Sequence, residues 1–337
     1  MAPQAGGATW RPAAGLDALL KRAQILARIR AFFAERGVLE VETPVLAAAP
    51  VSDPHLQALS CRLDAPGGER RLFLQTSPEY AMKRLLAAGS GPIYQVVRAF
   101  RDGEVSPLHN PEFTMLEWYR PGFDHHSLMD EMDGLLFATL GAEPAERLAY
   151  GDVFRHRVGL DPHRAEGADL AAAAAARGIE VVGMDAASPK DDWLHLLMSH
   201  VVEPTLGLAD DEGEPPRPTF LYDYPASQAA LARVRRGQGV EPAVAERFEV
   251  YVAGVELANG FHELADADEQ RRRFVGDLEE RRQRGLPAVP VDEHLLAALA
   301  HGLPDCAGVA LGVDRLVMLA SSAEHIGDVL AFPVDRA

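Results

Sequence analysis

The chain has 337 residues, 47% apolar and 25% charged, and a fold of this size buries about 75% of its unfolded surface. Its net charge of −17 makes a large polyanion a poor default partner, because nucleic-acid affinity comes mostly from Lys and Arg neutralising phosphates. No run approaches the ~20 apolar residues of a membrane helix, the start MAPQAGGATWRPAAG lacks the pattern of a signal peptide, and Cys61 and Cys306 are too few for a disulfide framework. The expectation is a cytoplasmic protein without membrane contact, with two reduced thiols and a mobile tail over residues 1–15.

Residues 16 to 36 place Leu19, Ile25, Leu26, Ile29, Phe32 and Phe33 at helical spacing, with Gly37 at the stop position. VLEVETP, residues 38 to 44, reads as a short strand ended by Pro44. RLFLQ, residues 71 to 75, is a second strand. TSPEYAMKRLL then opens a helix with Ser77 as N-cap and Pro78 at the first helical position. Glu79 falls in the first turn, where the positive helix end favours its ionised form.

IYQVVRAFR (93–101) and EFTMLEWY (112–119) alternate in polarity around a segment rich in Gly and Pro, which predicts a hairpin with a long tip. Phe113, Met115, Glu117 and Tyr119 share one face of the returning arm. Mixed polar and apolar residues on one face point to the partly enclosed floor of a site.

Residues 140 to 215 read as an alanine-rich helical insertion with a loop at LADDEGEPPRP and no chemical motif. RFEVYVAGVELANGFHEL (247–264) returns to strand character, turning at Gly254, with Glu249 and Glu256 on neighbouring strands. ADADEQRRRFVGDLEERRQRG is a solvated helix closed by Gly285. AGVALGVDRLVMLASS (307–322) is a strand running into a helix. His55, His125, His126 and His262 have no His or Cys companions at zinc spacing, so structural or solvent-exposed roles are expected for them.

Together HNPEFTMLEWY, ELANGFHEL and LGVDRLVML resemble motifs 2 and 3 of the class II aminoacyl-tRNA synthetases, in the lysyl-tRNA synthetase branch. The helix and strand ending at Pro44 resemble motif 1. The resemblance runs from about Leu19 to the C-terminus and implies an α+β fold: the class II catalytic domain, an antiparallel β-sheet flanked by helices. Under twenty residues precede motif 1, too few for the anticodon-binding barrel of lysyl-tRNA synthetases, so no anticodon-binding domain is expected and tRNA is an unlikely partner. This is similar to truncated paralogues that attach lysine or (R)-β-lysine to a lysine of translation elongation factor P.

The resemblance implies ATP and Mg²⁺ as cofactors, and a homodimer built on the motif 1 helix and strand. It gives Arg101 the α-phosphate and Arg315 the γ-phosphate as catalytic contacts. Asp102, Gly103, Glu104, His109, Asn110, Glu256, Leu257 and Gly312 fall on further ATP contacts, with Glu249 and Glu256 as magnesium carboxylates. Glu79, Glu263 and Tyr119 match the residues that hold the substrate ammonium, with Ser77, Pro78, Glu117, Asn259 and Ala310 around the amino acid. Two positions depart from the family pattern. The family's Arg-x-Glu reads Arg101-Asp102-Gly103 here, followed by Glu104, so either Glu104 serves through a bulge, or Asp102 substitutes, or that contact is lost. Ala310 stands where lysyl-tRNA synthetases have glycine, which alters the room beside the α-amino position. The competing readings are a small synthetase charging tRNA or another acceptor, and a regulatory paralogue without catalysis, for which Gly103 is the one support.

Overall fold

The computed structural model describes residues 10–185, 188–209, 214–237, 239 and 241–337. Most of the expected tail, residues 1–9, and the centre of the LADDEGEPPRP loop lie outside the described residues. In chain order the elements are α1 (Leu16–Glu35), β1 (Leu39–Glu40), β2 (Leu46–Ala47), β3 (Ser60–Ala65), β4 (Gly68–Leu74), α2 (Glu79–Ala87), β5 (Ile93–Phe100), β6 (Glu112–Pro121), α3 (His125–Leu140), β7 (Glu146–Ala149), α4 (Tyr150–Val158), α5 (Gly167–Ala176), α6 (Lys190–Leu197), β8 (Thr219–Pro225), β9 (Val234–Arg235), β10 (Val244–Val252), β11 (Val255–His262), α7 (Ala267–Gln283), α8 (Glu293–Gly302), β12 (Cys306–Gly312) and α9 (Val313–Ser321). They fall into two compact units. One comprises Met1–Glu117, Arg271–His301 and Leu311–Ala337; the other comprises Trp118–Gln270 and Gly302–Ala310.

In the first unit α1 buries Ile25, Ile29, Phe32 and Phe33, the i, i+4, i+7, i+8 stripe that its sequence spells. Gly37, at φ +63°, takes the left-handed conformation that ends the helix. Phe33 stacks on Tyr94 of β5 with ring centroids 4.5 Å apart. A second tie is ionic: Arg22 of α1 donates to Asp314 at 2.5 Å and to Thr114 Oγ1 at 2.6 Å. Asp314, 2% exposed, also accepts the Thr114 backbone N–H at 2.6 Å. This fastens α1, the returning hairpin arm and the start of α9 to one carboxylate.

The strand expected over 38–44 is shorter, only Leu39–Glu40, and pairs parallel with β5, Leu39 opposite Ile93. The Val41 N–H still bonds the Tyr94 carbonyl, so pairing runs one residue further before Pro44 approaches. RLFL of the RLFLQ run is the end of β4, whose partner β3 has no sequence signal because Ser60–Ala65 is exposed at four of six residues, buried at none, and carries no alternation. The helix after Ser77 starts one residue later than expected, with Pro78 in the capping position, yet Ser77 Oγ accepts the Glu79 N–H at 3.1 Å as a cap would.

In the second unit β11, β10, β8 and β7 lie side by side. β10 is antiparallel to both β11 and β8, while β7 runs parallel to β8. The α+β class stands, with parallel pairing at β1–β5 and β7–β8 beside the antiparallel pairing of β10 with β11 and β8 and of β4 with β2 and β3. Residues 140–215 are not purely helical: Glu146–Ala149 is a strand, and only then do α4, α5 and α6 follow. Tyr150, Phe154, Leu170, Trp193, Leu194, Leu197, Leu221, Tyr224 and Tyr251 make one core, so this segment packs on β8 and β10.

Candidate functional site

The hairpin tip is folded on itself in the first unit. Arg101 closes it by donating its N–H to the Pro111 carbonyl at 2.9 Å, and Ser106 and His109 exchange backbone bonds at 3.2 Å. Gly103 has φ +80°, a conformation nearly closed to other residues, and this turn aims Glu104 back at Arg101, 3.7 Å away. Asp102 is exposed. Glu104 is thus the carboxylate that meets Arg101, whichever of the three alternatives holds for the contact to ATP.

Arg101 also lies over the Phe113 ring at 5.1 Å, and its buried Nε has no hydrogen-bond partner among the described residues. Arg315, in the first turn of α9, reaches the same tip and bonds His109 Nε2 at 2.7 Å. Guanidinium only donates, so Nε2 accepts, and the ring proton sits on Nδ1, donated to Ser106 Oγ at 2.7 Å. Burial and then the Arg315 charge hold His109 below its ordinary pKa, with Arg101 adding to them and Glu104 opposing. Two guanidiniums thus act on one neutral imidazole. Asn110 is buried and donates to the Glu112 carbonyl at 2.6 Å while accepting the Val334 N–H at 3.0 Å. Those bonds make it the anchor of the tip to the C-terminal segment, whatever contact its remaining N–H makes.

Ser77 Oγ donates to Glu117 at 2.6 Å, and both lie near the start of α2. Glu79 is engaged by a residue the sequence reading passed over. Lys83, one helical turn on and 1% exposed, donates to Glu79 Oε1 at 2.6 Å. The i, i+4 Glu–Lys spacing was the available signal. Burial of the lysine was not readable, because only the packing of α2 removes it from water.

On β10 and β11 the period of two and the register put Arg247, Glu249, Tyr251, Glu256, Asn259 and Phe261 on one face, despite a shift in pairing between Val250 and Tyr251. Tyr224 joins them because Asp223, at φ +58°, breaks the alternation of β8. Glu249 accepts from Tyr224 and Tyr251, each at 2.6 Å, and from Arg247. Burial alone would raise its pKa, but the Arg247 charge and the two phenols outweigh it and hold it below the usual range. Arg247 also donates to Asn259 Oδ1 at 3.3 Å. Glu203 completes the group: burial, then the charges of Glu249 and Glu256, push its carboxyl up to about 7. Three acids converge there, and Glu203 was missed because it lies 46 residues upstream of Glu249 in a segment without a motif.

Tyr119 and Glu263, both 2% exposed, meet over the backbone of Gly308. A Cβ at that glycine would lie 2.3 Å from Tyr119 Cε1 and 2.6 Å from Glu263 Oε1. Ala310, the departure in this run, is half-buried; Gly308 is the position with no room. Leu257, unpaired at the shift in register, is 2% exposed, so its side chain belongs to the core. Gly312 precedes α9 with room around it, the nearest side-chain atom to an added methyl group being 3.7 Å away on Arg315.

Among the described residues no helix is long and apolar enough to cross a membrane. The family description "tRNA synthetases class II (D, K and N)" matches residues 9–336. Relatives from Salmonella paratyphi B, Salmonella heidelberg and Salmonella typhimurium, each called an elongation factor P--(R)-beta-lysine ligase, are 53% identical over 332 residues, covering 98% of this chain and 99% of theirs.

Proposed function

The chain belongs to the class II tRNA synthetases of the D, K and N group, and on that premise we propose that it is an ATP-dependent ligase acting on elongation factor P. It activates (R)-β-lysine or lysine as an aminoacyl-adenylate and passes the acyl group to the ε-amine of a lysine on that protein. In the first step the amino-acid carboxylate attacks the α-phosphorus of ATP and pyrophosphate leaves. In the second the acceptor amine attacks the acyl carbon, AMP leaves and the amine gives up a proton. The acceptor must therefore reach the site unprotonated.

The observation that carries the reading is the pair of guanidiniums at the hairpin tip. Arg101, with a buried donor to spare, suits the charge that develops at the α-phosphate; Arg315 suits the γ-phosphate, where a fork of donors matches the oxygens. Magnesium fits the second unit: the donors are oxygens, and the Glu203 carboxyl, raised by burial and then by the charges of Glu249 and Glu256, stands beside both. Those residues would hold it, and the ion supplies neutralisation of phosphate charge when bound. Arg247, Tyr224 and Tyr251 keep Glu249 ionised and fixed in direction.

Tyr119 and Glu263 present a buried hydroxyl and carboxylate suited to a substrate ammonium, a cation that costs several kcal/mol to bury unpaired. A pocket lined this way discriminates against amino acids without the terminal amine, whose absence leaves its own polar groups unpaired. Leu16, Leu20 and Leu39 are 72%, 52% and 57% exposed, apolar surface on α1 and β1 that suits a two-fold homodimer. A cytoplasmic location accords with that acceptor.

The test is ATP–pyrophosphate exchange with α-lysine and each β-lysine enantiomer, followed by transfer to elongation factor P or to tRNA. Exchange with a lysine isomer and transfer to the protein are expected. Transfer to tRNA alone would replace the acceptor, and no exchange with any isomer would leave a regulatory paralogue.

A further inference from the structure

Opposite the face that carries Glu249, the same two strands carry a different chemistry. Glu246 and His262 alternate out of the Arg247–Phe261 pair and so point to the other side of β10 and β11. The start of α3 packs over that side and brings His125. One ligand-capable atom from each of His125, Glu246 and His262 lies within 4.8 Å of the other two. We propose that this cluster is a binding site for one divalent transition-metal ion of the zinc class, separate from the magnesium carboxylates.

Three observations support it. His125 is 2% exposed, and neither ring nitrogen makes a hydrogen bond among the described residues. Its one polar contact is the 3.4 Å approach of Asp223 to Nε2, so the buried ring is under-satisfied, and a metal at the other nitrogen removes that cost. Second, His262 already has the arrangement of a metal-ligating histidine: Nδ1 faces Glu246 at 2.6 Å, while Nε2 is 2.9 Å from Asp305, a carboxylate to receive its N–H and fix the tautomer. Third, Glu246, Asp223 and Asp305 surround the two imidazoles against two guanidiniums, Arg233 and Arg235, an environment that favours a further cation. Asp223 Oδ1, buried and without a hydrogen bond, lies 3.4 Å from His125 Nε2.

Two imidazoles with one carboxylate, plus water, is a zinc ligand set, in which tetrahedral neighbours stand about 3.3 Å apart for bonds of about 2.0–2.1 Å. Reaching that spacing requires the three atoms, now within 4.8 Å of one another, to draw together and the 2.6 Å Glu246–His262 contact to part. The ion would fasten the first turn of α3 to β10 and β11. Nitrogen donors separate it from a magnesium site, which takes oxygen.

The experiment is metal stoichiometry of the full chain after dialysis against Zn²⁺, with Co²⁺ absorption as a report on geometry. Expected are one ion per chain, visible Co²⁺ bands of a low-coordinate site, and a melting temperature raised by several degrees with Zn²⁺. His125→Ala and Glu246→Gln should each lose the ion and the shift, whereas Glu249→Gln should keep them. His125→Gln, which retains a polar side chain of similar reach, provides a second folded variant. Absence of stoichiometric binding by the wild type, or unchanged binding by a folded His125 variant, overturns the proposal.

Discussion

Gly308→Ala tests the amino-acid pocket through a single methyl group. Its Cβ would sit 2.3 and 2.4 Å from two Tyr119 ring carbons and 2.6 Å from Glu263 Oε1. Carbon atoms rest about 3.5–4.0 Å apart, so the ring must retreat by more than about 1 Å. Both neighbours are 2% exposed and cannot swing into solvent. Overpacking of this kind costs about 1–3 kcal/mol of stability. The kinetic cost is larger in kind, since misplacing a substrate-holding group by about 1 Å lowers rate about 100-fold. Lysine-dependent ATP–pyrophosphate exchange should fall about that far in kcat/KM, which is ~2.7 kcal/mol, while urea unfolding still shows a cooperative fold. Gly276→Ala on α7 is the packing control, because its methyl meets nothing within 4 Å. Wild-type exchange kinetics for Gly308→Ala would refute the placement of Tyr119 and Glu263 at the substrate.

Asp314→Ala strands the Arg22 guanidinium and the Thr114 N–H, so unfolding free energy should drop by about 3–5 kcal/mol in urea titration; a loss under ~1 kcal/mol would show the tie to be idle. Arg315→Lys keeps the charge but loses the fork, and exchange at saturating lysine should fall by at least ~10-fold with a raised KM for ATP. His109 is held below its ordinary pKa of 6.5 by burial and Arg315. The unfolded chain therefore takes up a proton first, and stability present at neutral pH is lost as pH falls below 6.5 toward the lowered folded value. His109→Gln should flatten that part of the stability–pH curve; an identical slope would show that the imidazole stays uncharged for no energetic reason.

Local pattern carried the hairpin, the β10–β11 pair, α1 and the strand-to-helix run into α9, because each is written in a period of two or 3.6 with Gly or Pro at its ends. β3 and β7 were illegible, since exposed or very short strands need no alternation. Arg101, Arg315, Glu249, Glu256, Glu263 and Tyr119 could be named from motifs, but their partners could not. Lys83 was visible as a residue four positions after Glu79, yet its burial depends on how α2 packs. That Glu104 turns back to Arg101 depends on one positive φ at Gly103, a backbone angle that sequence permits without dictating.

The sequence by itself determined the family, the periodic elements and the acids and guanidiniums that chemistry on ATP requires, because those are properties of neighbours along the chain. Tertiary structure decided which charges are already spent and which residues meet. Tyr224 and Tyr251 at Glu249, Tyr119 and Glu263 over Gly308, and His125 beside His262 are separated by between two and 189 residues. Strand register and helix packing alone bring such pairs together, since side-chain contact depends on distance through space and not along the backbone.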